Sequence, residues 1–292
     1  MSMHGRYLQL SSGQTYVVED GDGEGPTMLL IHGATVPHWQ FDWLVPRLRA
    51  TAARVVRFDL FGHGLSDRPA VRYDFGLFLG QALEVLDALG ASRPLTVLGH
   101  SFGAAVAAAV CYERAALVDR LILVAPLRDF MARSRWSRLF GLPFVGQQLM
   151  RSVGIRALER RRRRRYAAIG AEHLTTRFIE QVRTPGFAEA LASMFSNGTL
   201  GDQCAHYKRL HAFAREIVVV AGGADHVIPL SDVAHIRGLL PNHRYVEIAD
   251  AQHNLLLTHS EAVASMITRD RGAPHAGDGL VPEAPTSGAT RA

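Results

Sequence analysis

Apolar residues along this chain gather in short dense runs separated by longer amphipathic stretches. The runs are Gln14 to Val18, Thr27 to Ile31, Arg54 to Phe58, Leu95 to Leu98, Leu121 to Ala125, Glu216 to Val220 and Arg244 to Ile248, with a further candidate at Tyr7 to Leu10. Several are continuous in Val, Ile and Leu rather than alternating with polar residues. That pattern predicts strands buried on both faces, as in a parallel sheet covered by helices. Helical periodicity lies between the runs. Gly76 to Leu89 places Leu79, Leu83, Leu86 and Leu89 at three- and four-residue steps, and Phe102 to Tyr112 is rich in alanine, the best helix former. The alternation of strand and helix predicts the α/β class.

This alternation stops between about Leu127 and His211. Roughly 80 residues of helix-like, Arg-rich and aromatic sequence stand there, too many for a plain loop. Phe130, Trp136, Phe140 and Phe144 give the first part apolar surface, and Phe178, Phe187 and Phe195 the second. The expected organisation is a core formed by 1–126 and 212–269, a helical cap inserted at 127–211, and a disordered tail at 270–292, where Gly and Pro recur without periodicity.

Composition narrows the class without choosing a function. Of the 292 residues, 48% are hydrophobic and 20% charged, as in ordinary globular proteins. No run of roughly 20 apolar residues exists, since Leu95 to Val110 is broken by Gly99, His100, Ser101 and Gly103, so stable membrane insertion is not expected. Met1 to Leu10 has no secretory pattern, which makes the cytoplasm the expected location. Cys111 and Cys204 are too few and too distant for a disulfide framework or a metal cluster, and are expected to be structural.

The net charge of +5 raises the question of an anionic partner. Lys208 is the single lysine, so the balance reflects a preference for arginine. The run Arg160 to Arg165 has no interleaved aromatics and no nucleic-acid module around it. A solvated helix face or loop is the expectation there, ahead of an anion or membrane-surface contact, and nucleic acid is not expected as a partner.

The chemistry is concentrated elsewhere. Gly99-His100-Ser101-Phe102-Gly103 follows the run Leu95 to Leu98 and precedes a predicted helix, so a G-x-S-x-G pattern stands in its required strand–turn–helix context. A serine on such a turn projects at a helix N-terminus, where free N–H groups favour developing negative charge. Serine at its own pKa is a poor nucleophile and needs a base, which needs an orienting group. His253 follows the last predicted strand, and Asp225 follows the one before it. Both therefore fall at the carboxyl ends of strands, where open parallel sheets place their sites. The chain order is Ser101, Asp225, His253, the order of serine, acid and histidine on such a sheet. Asp129 is the reserve acid, whereas Asp250 reads as a turn residue and His226 precedes the final strand. Oxyanion donors are expected from the backbone N–H of Phe102 and of Ala34, the latter in the loop His32-Gly33-Ala34-Thr35.

With His32-Gly33, the segment Asp59 to Pro69, the serine turn, Asp225 and His253 together, the sequence resembles the α/β-hydrolase superfamily from about Gln14 to Thr268. The resemblance implies an eight-stranded, mostly parallel sheet flanked by helices, with a helical cap inserted after the sixth strand. It also implies a structural role for Asp59 to Pro69 at the mouth of the site. That segment is similar to those of lipid and carboxylic ester hydrolases and of carbon–carbon bond hydrolases. Ser101 stands where dehalogenases and epoxide hydrolases of this fold carry Asp, which argues against both activities. The His32-Gly33 loop lacks the extra Gly-Pro-Gly common in carbon–carbon hydrolases.

The expected activity is hydrolysis of a small apolar or aromatic carboxylic ester through an acyl-enzyme, with no metal or organic cofactor. Trp39, Phe130, Trp136, Phe140 and Phe144 are the candidate substrate contacts. Carbon–carbon hydrolysis, thioester hydrolysis, acyl transfer and a low-turnover ligand receptor remain as alternatives, because fold and triad do not separate them.

Overall fold

The computed structural model describes residues 4–21, 26–48, 54–91, 94–133, 135–142 and 145–268. Eight strands form one sheet: β1 His4–Leu10, β2 Gly13–Gly21, β3 Thr27–Ile31, β4 Arg54–Phe58, β5 Leu95–His100, β6 Val118–Val124, β7 Glu216–Gly222 and β8 Arg244–Ile248. Their order across the sheet is β1-β2-β4-β3-β5-β6-β7-β8. β2 pairs antiparallel with β1 and β4, and every other neighbouring pair is parallel.

The continuous apolar runs are two-sided strands. In β3, Leu29 and Ile31 join Val97, Leu121, Leu123 and Val219 in one core, whereas Met28 and Leu30 join Leu98, Ile122, Val124, Val218 and Val220 in the other. Successive side chains point to opposite faces, so both sets must be apolar when both faces are covered. On the first face lie α1 Phe75–Ala88, capped by the Asp74 side chain on Leu77 N, and α2 Phe102–Glu113. Ten of the twelve α2 residues are buried, and their small side chains let this helix lie close to the sheet.

Between β6 and β7 the chain is helical. It forms α3 Arg135–Phe140, α4 Val145–Leu149, α5 Ile155–Ala167, α6 His173–Arg183 and α7 Phe187–Ser196. A wide turn at Met150–Gly154, closed by the Ile155 N–H on Met150 O five residues back, leads into α5. On α6 the buried Leu174, Phe178 and Val182 repeat every four residues and make its inner face. Polar contacts fasten this segment to the core: Ser193 Oγ accepts from Tyr73 N at 3.1 Å, and the Thr199 hydroxyl donates to Tyr73 O at 2.7 Å. After β7, α8 Leu230–Arg237 returns along the first face, and α9 Ser260–Thr268 covers the second with Val263 and Ile267.

The expected strands at Thr27 to Ile31, Arg54 to Phe58 and Arg244 to Ile248 appear with those bounds. β5 runs two residues past its apolar stretch, because parallel pairing with β6 carries Gly99 and His100 opposite Leu123 and Val124. β6 ends one residue early, at the point where Ala125 turns to φ 43°. Phe144 and 270–292 lie outside the described residues, as does the side chain of Trp136.

Candidate active site

Sheet register brings the candidate residues to one edge. Ile31 pairs with Gly99, His100 with Val124, Val124 with Val220, and Gly222 with Ile248. The loops that follow β3, β5, β7 and β8 therefore leave the sheet at the same edge, carrying Ala34, Ser101, Asp225 and His253.

Ser101 occupies φ 55° and ψ −118°, a conformation few side-chain-bearing residues adopt. Its N–H donates to Val124 O at 2.9 Å, and its carbonyl accepts from Leu127 N at 3.2 Å, so β6 and the chain beyond it hold the turn. The flanking glycines leave room for that turn. A Cβ on Gly99 would overlap the Gly103 carbonyl, and one on Gly103 would overlap the carbonyls of Ile31 and His32.

Asp225 and His253 meet as the sequence order predicts. His253 Nδ1 lies 2.8 Å from Asp225 Oδ2, while Asp225 Oδ1 accepts from Val227 N at 2.7 Å and Ile228 N at 2.9 Å. Burial alone would raise the Asp225 pKa. The His253 hydrogen bond and charge and the two backbone donors outweigh it and hold the carboxyl below its ordinary value. An ionised Asp225 accepts the Nδ1 proton, which leaves Nε2 as the free ring nitrogen. The reserve acid is elsewhere: Asp129 caps Ala132 N at 2.9 Å, and Asp250 is an exposed partner of His259 at 3.3 Å.

The oxyanion loop is set by its own His32 and by His63 of the Asp59 to Pro69 segment. His32 Nε2 accepts from Leu60 N at 2.8 Å, so its Nδ1–H faces Gly33 O at 2.7 Å. Burial pushes the His32 pKa down to about 3 and keeps the ring neutral. His63 Nε2 lies 2.9 Å from Ala34 O. Asp59 joins its own segment to the chain after β3, accepting from His38 N and lying against His38 Nδ1 through Oδ1, and accepting from Leu65 N through Oδ2, at 2.8 to 2.9 Å. Asp59 to Pro69 therefore buttresses the loop that holds Ala34. Phe102 opens α2, and its N–H has no partner within the helix.

Ser101, His253, Ala34 and Phe102 all line one cavity of about 310 Å³. Trp39, Phe130 and Phe140 line it as expected. Thr35, Asn254 and three residues of the arginine run, Arg161, Arg162 and Arg165, line it as well. The run was expected to be a solvated face, and most of it is: Arg160, Arg161, Arg163 and Arg164 are exposed, Arg161 at the rim of the cavity, while Arg162 and Arg165, about one helical turn apart, are half-buried against it. The helix period, applied across the arginines themselves, was the signal that could have found them. Among the described residues no group of three or more His, Cys, Asp or Glu side chains could hold a metal ion.

Comparison with known proteins fits this geometry. A family model described as the alpha/beta hydrolase fold matches residues 26–260. The chain belongs to the α/β-hydrolase family. This α/β hydrolase is 27% identical over 252 residues to the 2-hydroxymuconate semialdehyde hydrolase of Pseudomonas putida, spanning 84% of this chain and 86% of that protein. It superposes on the enol-lactonase from Burkholderia xenovorans LB400 with a TM-score of 0.73 at 19% identity, over 90% of this chain and 98% of that one. With the epoxide hydrolase CorEH the TM-score is 0.77 at 16% identity, over 91% and 97% of the two chains. Likeness at those identities is likeness of fold. Among the described residues, no helix of this α/β hydrolase is long and apolar enough to cross a membrane.

Proposed function

We propose that this α/β hydrolase cleaves a carboxylic ester through an acyl-enzyme formed on Ser101. The observation that carries the reading is the 2.8 Å contact of His253 Nδ1 with a buried Asp225 carboxylate, beside a cavity that Ser101 also lines. His253 Nε2 takes the Ser101 proton as Oγ attacks the ester carbonyl, and the N–H groups of Ala34 and Phe102 hold the oxyanion. The imidazolium then gives that proton to the departing alcohol. Water, deprotonated by His253 in the second half, attacks the acyl-enzyme and releases the acid. Each cycle consumes one ester and one water and leaves the three side chains as they began.

Residues 127–211 act in this reading as a cap over the cavity, and Trp39, Phe130 and Phe140 supply apolar or aromatic contacts to the substrate. A second reading, hydrolysis of a carbon–carbon bond next to a ketone, is favoured by the similarity to the Pseudomonas putida enzyme. Against it stands the loop after β3, which reads His32-Gly33-Ala34-Thr35 and lacks the Gly-Pro-Gly extension.

The test is hydrolysis of p-nitrophenyl esters from acetyl to dodecanoyl, with Ser101→Ala run in parallel. Turnover by the wild type and loss of at least 10³-fold in the variant is the expected result, in keeping with removal of a nucleophile. Equal rates in the two proteins would remove Ser101 from the mechanism. No turnover of any ester, combined with Ser101-dependent cleavage of a ring-fission diketone, would move the assignment to the second reading.

A further inference from the structure

The face that α5 turns to the cavity is a stripe. From Gly154 at its N-terminal end, Ala157, Leu158, Arg161, Arg162 and Arg165 follow one another at helical spacing, apolar in the first half and cationic in the second, with Ala157 and Arg161 at the exposed rim. Arg162 is anchored on the oxyanion loop. Its Nη2 donates to Thr35 Oγ1 at 3.1 Å, one residue beyond Ala34, and its guanidinium carbon lies 4.8 Å from the centre of the Phe178 ring.

No Asp or Glu among the described residues lines the cavity. Among those residues none of Arg161, Arg162 and Arg165 is in an ion pair, and the carboxylate whose charge reaches Arg165, Asp225, is already paired with His253. Other arginines of the same helical segment are paired: Arg151 with Glu189, Arg177 with Asp42 and Arg183 with Glu159. Burial lowers the Arg162 pKa against the contrary effect of Tyr166, and burial together with the charges of Arg161 and Arg162 outweighs the charge of Asp225 and brings Arg165 down to about 10. Adjacent guanidiniums facing a largely apolar space are costly until an anion joins them.

We infer that the substrate carries a free carboxylate, held by the guanidinium forks of Arg162 and Arg165, with its hydrocarbon part along Ala157 and Leu158. The planar forks match a carboxylate in a bidentate manner, whereas a phosphate would leave a further charged oxygen against apolar lining. Because Arg162 is anchored on Thr35, the carboxylate stands on the oxyanion-loop side, a few bonds from the scissile carbonyl. The substrate class is then the monoester of a short dicarboxylic acid. The placement relative to the scissile bond rests on the proposed role of Ser101, but carboxylate binding does not.

The experiment compares p-nitrophenyl hemiglutarate with its uncharged analogue p-nitrophenyl pentanoate, using Ser101→Ala as the blank for spontaneous hydrolysis. Wild type should favour the anion by about 10-fold to 100-fold in kcat/KM, the range of a charge-assisted hydrogen bond. Arg162→Gln and Arg165→Gln should each cut that preference about 10-fold, mainly through KM. Arg162→Lys, which keeps the charge without the fork, should fall between. Arg163→Gln, on the exposed face, should keep the wild-type ratio. A wild-type ratio near one, or a ratio unchanged in both glutamine variants, overturns the inference.

A binding arm separates it from the serine mechanism: titration of Ser101→Ala with monomethyl glutarate and with methyl pentanoate. Binding of the acid alone, lost on adding Arg162→Gln, upholds carboxylate recognition even if no ester is turned over. Ser101-dependent turnover without charge preference and without binding of the acid overturns this inference and leaves the ester reading in place.

Discussion

A serine at φ 55° stores strain of about 1–3 kcal/mol, which the surrounding backbone must overcome. Gly103 is where that requirement is sharpest. A methyl there meets two carbonyls of the strand and loop that carry the oxyanion residues, and neither is a flexible side chain that can swing away. Gly103→Ala is therefore expected to destabilise the fold by about 3 kcal/mol and to displace Ser101 from Ala34. A urea titration that matches wild type would show the turn to be looser than its contacts indicate.

Asp225→Asn isolates the orienting role in the proposed mechanism. The amide carbonyl can still accept from Val227 N and Ile228 N, which leaves the amide NH2 facing His253 Nδ1. Nδ1 must then be the acceptor, the proton moves to Nε2, and the ring can no longer take one from Ser101. A loss of about 10³- to 10⁴-fold in kcat is expected, with little change in thermal stability. Retention of more than a tenth of the rate would assign Asp225 a purely structural part.

At the scale of elements, legibility followed burial on two faces. β3, β4 and β8 could be bounded from the sequence because polar residues or turn-formers abut their apolar runs. β5 could not, since Gly99 and His100 join the strand through pairing with β6 and not through any local preference. The site was readable because its parts sit at strand ends in a fixed chain order. The arginine face was harder to read, because a uniform run of one residue type shows no amphipathic contrast: the helix period groups Arg161, Arg162 and Arg165, but the position of α5 decides which way that group faces.

That position depends on α6. Phe178 is fully buried, stands edge-on to Tyr166 at 6.4 Å between ring centres, and lies under the Arg162 guanidinium. Phe178→Ala should cost about 3–5 kcal/mol if the helical segment unfolds together with the core. Differential scanning calorimetry distinguishes the cases. One shifted transition means a single cooperative unit, and a new low-temperature transition means that the segment melts by itself.

Across the whole molecule, the buried ionisable groups near the sheet edge share one sensitivity. His32 and His100 are buried, and desolvation takes both pKa values from 6.5 down to about 3, the neighbouring charges of His63 and His253 adding to the shift. His63 shifts in the same direction, again chiefly by burial. Asp59 and Asp225 lie below their ordinary values because histidine partners and backbone donors outweigh burial.

For each histidine the unfolded chain binds a proton that the folded chain refuses. Stability from this source is complete above pH 6.5 and is lost as pH falls toward about 3. For the carboxylates the loss begins only below their unfolded value of 3.8. Between these limits His32 and His100 together should set a slope of about 3 kcal/mol per pH unit, at about 1.4 for each proton. Urea unfolding at pH 7.5, 6.0 and 5.0 should give little change above 6.5 and a steep fall below it. His100→Gln keeps an amide donor for His253 O, now 3.0 Å from Nε2, and removes the titration. It should lower the slope by about 1.4 kcal/mol per pH unit even if it lowers stability at pH 7.5. A slope identical to wild type would mean that His100 already accepts a proton in the folded state.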